Sequence, residues 1–137
     1  MVPLWQQKKG NPVLWDYHVI AMANGLVYDY DTALSFPCNA QEYVMQAFRP
    51  YDPVQETYRQ WFRVIPSREF LLTFASDRSH MRRQDGSYTA PPPPYDPIRT
   101  DQSTMNLMQF RTMDPQEGFG VVYSLQEFVQ FVGQQAT

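Results

Sequence analysis

Apolar and polar positions are patterned most clearly between residues 13 and 31. A β-forming run from Val13 to Met22 and a second from Leu26 to Tyr30 flank Ala23-Asn24-Gly25. Asn-Gly between apolar runs favours a two-residue type I′ turn, because both positions tolerate positive φ. The spacing predicts a hairpin in which Ala23 faces Leu26. Carried outward, that register sets His18 opposite Asp31, with Asp29 one pair along. Side-chain alternation then brings positions 18, 20, 22, 27, 29 and 31 to one face.

Helical spacing follows. Asn39 with Glu42 forms the pattern of a capping box ahead of an apolar stripe of Tyr43, Val44, Ala47 and Phe48. Trp61 to Ile65 reads as a strand stopped by Pro66, and Ser67 is placed to cap a helix carrying Phe70, Leu71 and Phe74. Residues 77–104 are polar and include Pro91 to Pro94, which have no N–H for a ladder, so they predict a long surface loop. Gly118 to Tyr123 reads as a strand. Ser124 and Glu127 then form a second capping box, opening a helix with Leu125, Phe128, Val129 and Val132 inward. No internal repeat is present. The expected architecture is a single α+β domain over residues 1–137, with a mainly antiparallel sheet and flanking helices.

Composition narrows the chemistry. Of 137 residues, 43% are hydrophobic and 15% aromatic, enough for a sizeable core. Only 18% are charged and the net charge is −3, which argues against a phosphate-binding surface and against nucleic acid as a partner. The short cluster Arg78, Arg82 and Arg83 is interrupted by other residue types and reads as solvated surface or local ion pairing. The single cysteine, Cys38, cannot make an intramolecular disulfide. The first residues lack the apolar core of a secretory signal. No run approaches the ~18 apolar residues that span a bilayer. A soluble, intracellular protein is expected.

His18 and its carboxylate neighbours carry the most specific chemistry. An Asp that accepts from one imidazole nitrogen fixes the tautomer and leaves the other nitrogen as a base, which is half of a nucleophilic triad. The ordinary alternative is a structural His–Asp pair. Asp16, two positions from His18, shares its face too, so the pattern alone does not choose among Asp16, Asp29 and Asp31. Cys38 precedes a helix, where a thiol pKa falls; its ordinary alternative is a small buried hydrophobe. His18, His80 and Cys38 show no ligand spacing, so no metal is expected. Gly118 and Gly120 in EGFG lack the Gly-Lys-Ser/Thr ending of a phosphate loop. PPPPY reads as a packed loop rather than a ligand for a proline-binding module.

Several stretches together resemble the protein N-terminal glutamine amidohydrolase family: MVPLWQQK at the start, PVLWDYHVI at 12–20, VYDYDTALSFPC at 27–38 and FRVIP at 62–66. FASDRSHM at 74–81, PPPPY at 91–95, MNLMQF at 105–110 and MDPQEGFGVVYSLQEF at 113–128 continue the match in order over nearly the whole chain. The resemblance implies an enzyme that converts an N-terminal glutamine of a protein to glutamate with release of ammonia, serving the N-degron route. It implies a papain- or transglutaminase-like thiol fold, a monomer without cofactor or metal, protein or peptide substrates, no membrane or nucleic-acid partner, and a cytoplasmic and nuclear location. It places the catalytic His at His18 and the catalytic Asp at Asp29. Asp77 is a candidate reader of the substrate ammonium, with ion pairing to Arg78 or Arg82 as its ordinary role.

The family's nucleophilic cysteine has no counterpart here, because Met1 aligns just upstream of the His strand and Cys38 matches a cysteine outside the triad. The expectation is a chain lacking the nucleophile, part of its oxyanion hole and a helix that covers the sheet, and therefore inactive and poorly stable alone. Three readings follow: a truncated record of an active amidohydrolase, a short isoform or inactive paralogue that binds N-termini or regulates a partner, and an unrelated hydrolase using Cys38.

Overall fold

The computed structural model describes residues 1–53, 58 and 60–135. It is α+β, with small antiparallel sheets and several helices. Two compact units divide the chain: Met1–Phe62 with Tyr123–Thr137, and Arg63–Val122.

In the first unit, β1 (Val2–Leu4) pairs antiparallel with β2 (Val13–Trp15). A second sheet has the order β3 (Ala21–Ala23), β4 (Leu26–Tyr28), β5 (Cys38–Asn39). The hairpin is the one the spacing predicts. Ala23 faces Leu26, Met22 faces Val27, and Asn24 and Gly25 both sit at positive φ, 54° and 76°. The Val13–Met22 run is not one strand, however. It pairs with β1 at its start and with β4 at its end, and residues 16–20 between the two ladders belong to neither.

Helix α1 (Ala40–Tyr43) starts where the capping pattern places it, with the Asn39 side chain accepting from the Glu42 N–H at 3.1 Å. It continues into a π-helical turn, Val44–Phe48, that stops at Arg49 in the left-handed region. All four residues of the predicted stripe, Tyr43, Val44, Ala47 and Phe48, are buried. The C-terminal helix, residues Leu125–Gln135, also has its capping box: Ser124 Oγ accepts from the Glu127 N–H at 3.2 Å, and Glu127 Oε1 accepts from the Ser124 N–H at 2.9 Å. From it Phe128 and Val132 are buried. Phe128 stacks on Phe62 at 4.3 Å between centroids, and Phe48 meets both rings edge-on.

Strand β6 (Trp61–Val64) ends before Pro66, and it pairs with β7 (Val121–Ser124). In the second unit, α2 (Ser67–Thr73) and α3 (Leu107–Arg111) carry a ring cluster of Phe70, Phe74 and Phe110, and Phe119 stacks on Phe110 at 4.7 Å. Two sequence expectations fail here. Ser67 does not cap α2: Pro66 holds the cap position and makes no side-chain bond, while Leu71 points outward, 77% exposed. The strand predicted from Gly118 begins only at Val121. Gly120 has φ 71°, and a Cβ there would run into the Val64 carbonyl. A left-handed, tightly approached glycine serves a turn rather than a ladder.

The Arg63 guanidinium gathers this turn, donating to the carbonyls of Thr112 (2.6 Å), Phe119 (2.5 Å) and Asp114 (3.0 Å). Residues 82–106 contain no helix or named strand. Arg78 donates to the Tyr95 and Pro93 carbonyls and lies over the Tyr95 ring, and Arg82 docks on Tyr88. Arg78 and Arg82 are thus engaged with carbonyls, a hydroxyl and rings. Among the described residues no helix is long and apolar enough to cross a membrane.

Candidate active site

The site lies in the first unit, where the chain leaves the hairpin. Beyond Tyr28 the ladder stops because Asp29 opens a tight turn: its backbone carbonyl accepts from the Thr32 N–H at 3.4 Å, and its side chain accepts from the Asp31 N–H at 2.9 Å. Asp favours such side-chain-closed turns. Asp31 therefore sits in a turn instead of continuing opposite His18. The expected His18–Asp31 apposition fails for that reason, although the register behind it is right. The partner His18 meets is Asp29, with Nε2 to Oδ1 at 3.0 Å. Asp16, the third carboxylate in the pattern, is exposed.

Three donors converge on the Asp29 carboxylate. Oδ1 takes the Asp31 amide and His18 Nε2, and Oδ2 takes the Tyr43 hydroxyl at 2.7 Å. Asp29 is 3% exposed and Tyr43 not at all. Burial pushes the Asp29 carboxyl upward, but the bonds from Tyr43, the Asp31 amide and His18 outweigh it and hold the group below its ordinary value. Burial, and then the bond to Asp29, push the Tyr43 hydroxyl far up, so it stays a proton donor at any physiological pH. Tyr43 entered the sequence reading only as part of the core stripe. The signal that could have found it is that a buried tyrosine hydroxyl nearly always has a partner.

His18 is positioned from two sides. Its ring stacks on Trp15, 4.6 Å between centroids and 26° between planes, and its side chain keeps 12% exposure. Nε2 is committed to Asp29. Among the described residues nothing bonds Nδ1. With the proton on Nε2 directed at a carboxylate, Nδ1 carries the ring's lone pair.

Cys38, opposite Val27 in the β4–β5 pair, is 1% exposed. Burial pushes its thiol up, with Glu42 adding to this and a bond to Ser35 opposing it. This is the environment of a packed hydrophobe and the reverse of an activated thiol.

His18, Asp29 and Asp31 bring ligand-type atoms within 4.8 Å of one another, a grouping that the linear spacing of His and Cys did not reveal. Both Asp29 oxygens already accept protons from the protein, and a cation there would have to displace them. In the second unit Asp77 caps its own turn, accepting from the Ser79 N–H at 2.9 Å, and His80 is exposed. Shallow depressions of that unit, one of about 520 Å³ beside Gln109 and Phe119, bring no titratable pair together.

A carboxylate-held imidazole with its second nitrogen unbonded is an arrangement that can serve acid–base chemistry. The N-terminal glutamine amidase family matches residues 1–132. The protein N-terminal glutamine amidohydrolase of Homo sapiens is 44% identical over 141 residues, covering 97% of this chain and 69% of that protein. Its namesake in Danio rerio is 44% identical over 140 residues (96% and 69%), and that of Drosophila mojavensis is 46% identical over 139 residues (95% and 68%). This chain belongs to the N-terminal glutamine amidase family.

Proposed function

We propose that the chain supplies the base and its orienting acid to a protein N-terminal glutamine amidohydrolase, a hydrolase that turns the side-chain amide of an N-terminal glutamine into a carboxylate and releases ammonia. The observation that carries this reading is the buried Asp29–His18 pair with Nδ1 open, in a chain whose relatives bear that activity in their names. His18 takes the proton of a nucleophilic thiol through Nδ1 while Asp29 holds the ring. The thiolate attacks the glutamine side-chain carbonyl, His18 returns the proton to the departing ammonia, and the same nitrogen then activates water to cleave the thioester. Substrates are proteins or peptides beginning with glutamine, and the product enters the N-degron route. The fold belongs with papain- and transglutaminase-like thiol enzymes, working as a cytoplasmic and nuclear monomer without cofactor.

Cys38 is not that thiol, since it is buried and its ionisation is disfavoured. The nucleophile comes from outside these residues, in keeping with the 69% of the human relative that the match covers. The same observation favours a second reading, a non-catalytic paralogue that retains the pair and binds N-termini.

The test expresses the protein together with any coding sequence upstream of its Met1 codon and offers a Gln-initiated peptide, with the N-acetylated peptide as control. Ammonia release with the amide-to-acid mass change, abolished by His18→Ala, supports the amidohydrolase. Turnover that survives His18→Ala, or that depends on Cys38, overturns it. Peptide binding without turnover, with stop codons upstream in every frame, selects the paralogue.

A further inference from the structure

Tyr43 is the one partner of the candidate pair that comes from a helix, and its position has a consequence for the histidine. The hydroxyl bonds Asp29 Oδ2 at 2.7 Å, while His18 and the Asp31 amide share Oδ1. A carboxylate rotates about its Cβ–Cγ bond unless both oxygens are held. The Asp31 amide and His18 hold only one of them. His18 itself lies in residues 16–20, which belong to neither ladder, so its backbone is not held by sheet bonds. Tyr43, by contrast, sits between the Asn39-capped α1 and the buried π-helical turn, with Phe48 against its ring at 5.5 Å. Its ring is fully buried there.

We propose that Tyr43 is a positioning residue that locks the Asp29 carboxylate through Oδ2, so that Oδ1 holds the proton of His18 on Nε2 and leaves Nδ1 as the working base. The inference rests on the His18–Asp29 reading given above. It adds a member to that pair: an α1 side chain that touches no substrate and acts only through Asp29. Tyrosine at this place differs from phenylalanine by one oxygen, so the packing and the positioning can be separated.

The readout is the tautomer of His18, seen by ¹⁵N NMR of the labelled imidazole above its titration. In the unaltered protein the neutral ring should be held as the Nε2–H form. In Tyr43→Phe, with the ring packing kept, both neutral tautomers should appear and the ring should tumble between orientations. Loss of a bond to a charged acceptor is worth about a ten- to hundredfold shift in such an equilibrium. Asp29→Ala, which leaves no acceptor for Nε2–H, separates the pair from the role of Tyr43. If the unaltered His18 already samples both tautomers, the His18–Asp29 reading fails. If it is held as Nε2–H, is released by Asp29→Ala, and stays held in Tyr43→Phe, the pair stands and the role of Tyr43 is overturned. Should Tyr43→Phe not fold, the Tyr43 hydroxyl proton of the unaltered protein decides. Bound to a buried carboxylate it exchanges slowly with water and resonates downfield; rapid exchange overturns the inference.

Discussion

Asp29→Ala removes the acceptor of three donors at once, in a place largely closed to water. The Tyr43 hydroxyl has no exposure and would be left wholly unpaired, the Asp31 amide would be partly compensated by solvent, and His18 more so, since its ring already reaches water. A buried unsatisfied donor costs about 1–3 kcal/mol, so the substitution should cost roughly 2–4 kcal/mol, a large part of a typical total of ~5–15 kcal/mol. Asp29→Asn should be much milder. The amide oxygen can take the place of Oδ1, and the amide NH₂ can donate to Tyr43, whose hydroxyl turns to accept. That variant should cost about 1 kcal/mol. Urea unfolding followed by Trp fluorescence gives both numbers. With a slope of ~1–2 kcal/mol/M for a chain of this size, the Ala midpoint should fall by about 2 M and the Asn midpoint by less than about 1 M. Equal shifts for the two variants, or an Ala shift below about 0.5 M, would refute the claim that the carboxylate is the acceptor hub of this region.

Three further outcomes follow from single residues. The folded Asp29 carboxyl lies below its ordinary value, so its contribution is complete above the unfolded-state value of ~3.9 and disappears as pH falls through the folded one. Denaturation at a series of acidic pH values should show a steeper loss of stability in the unaltered protein than in Asp29→Asn, and parallel slopes would contradict the shift. Cys38, buried and hard to ionise, should react with a thiol reagent only at the rate of unfolding; fast labelling of the native protein would contradict its packed role. Two glycines should separate conformational from steric cost. Gly25→Ala, with open space around its Cβ, should lose about 1 kcal/mol for positive φ alone. Gly120→Ala must also displace the Val64 carbonyl and should lose at least ~2–3 kcal/mol by chemical denaturation, so that equal losses would show the turn is not as tightly closed as described.

Local chemistry was legible wherever a short stretch decides its own conformation. Asn24-Gly25 carried the turn and its register because two adjacent residues must both accept positive φ. Asn39 with Glu42, and Ser124 with Glu127, carried helix starts because a cap is made within four residues. The stripe of Tyr43, Val44, Ala47 and Phe48 carried the buried face for the same reason of spacing. Where a serine merely could cap, as at Ser67, or a β-forming run followed two turn-forming glycines, as at Gly118 and Gly120, local preference was a poor guide.

Tertiary structure decided the rest, and the candidate site shows why. His18 and a carboxylate on one face were readable from alternation, but which carboxylate was not, because alternation holds only as long as the ladder does. The turn opened by Asp29 ends the ladder and leaves Asp29 as the acceptor that bonds the ring, with Asp31 still close by. The burial of Cys38 depends on residues far from it in sequence, and so does the Tyr43 hydroxyl, which meets an aspartate 14 positions away. The sequence by itself determined the hairpin, the two capping-box helix starts, and a histidine sharing a face with carboxylates. The resemblance named Asp29 but the pairing register could not choose it; the packed chain brings Asp29 to His18 because that choice depends on where a strand stops and what a distant helix adds to it.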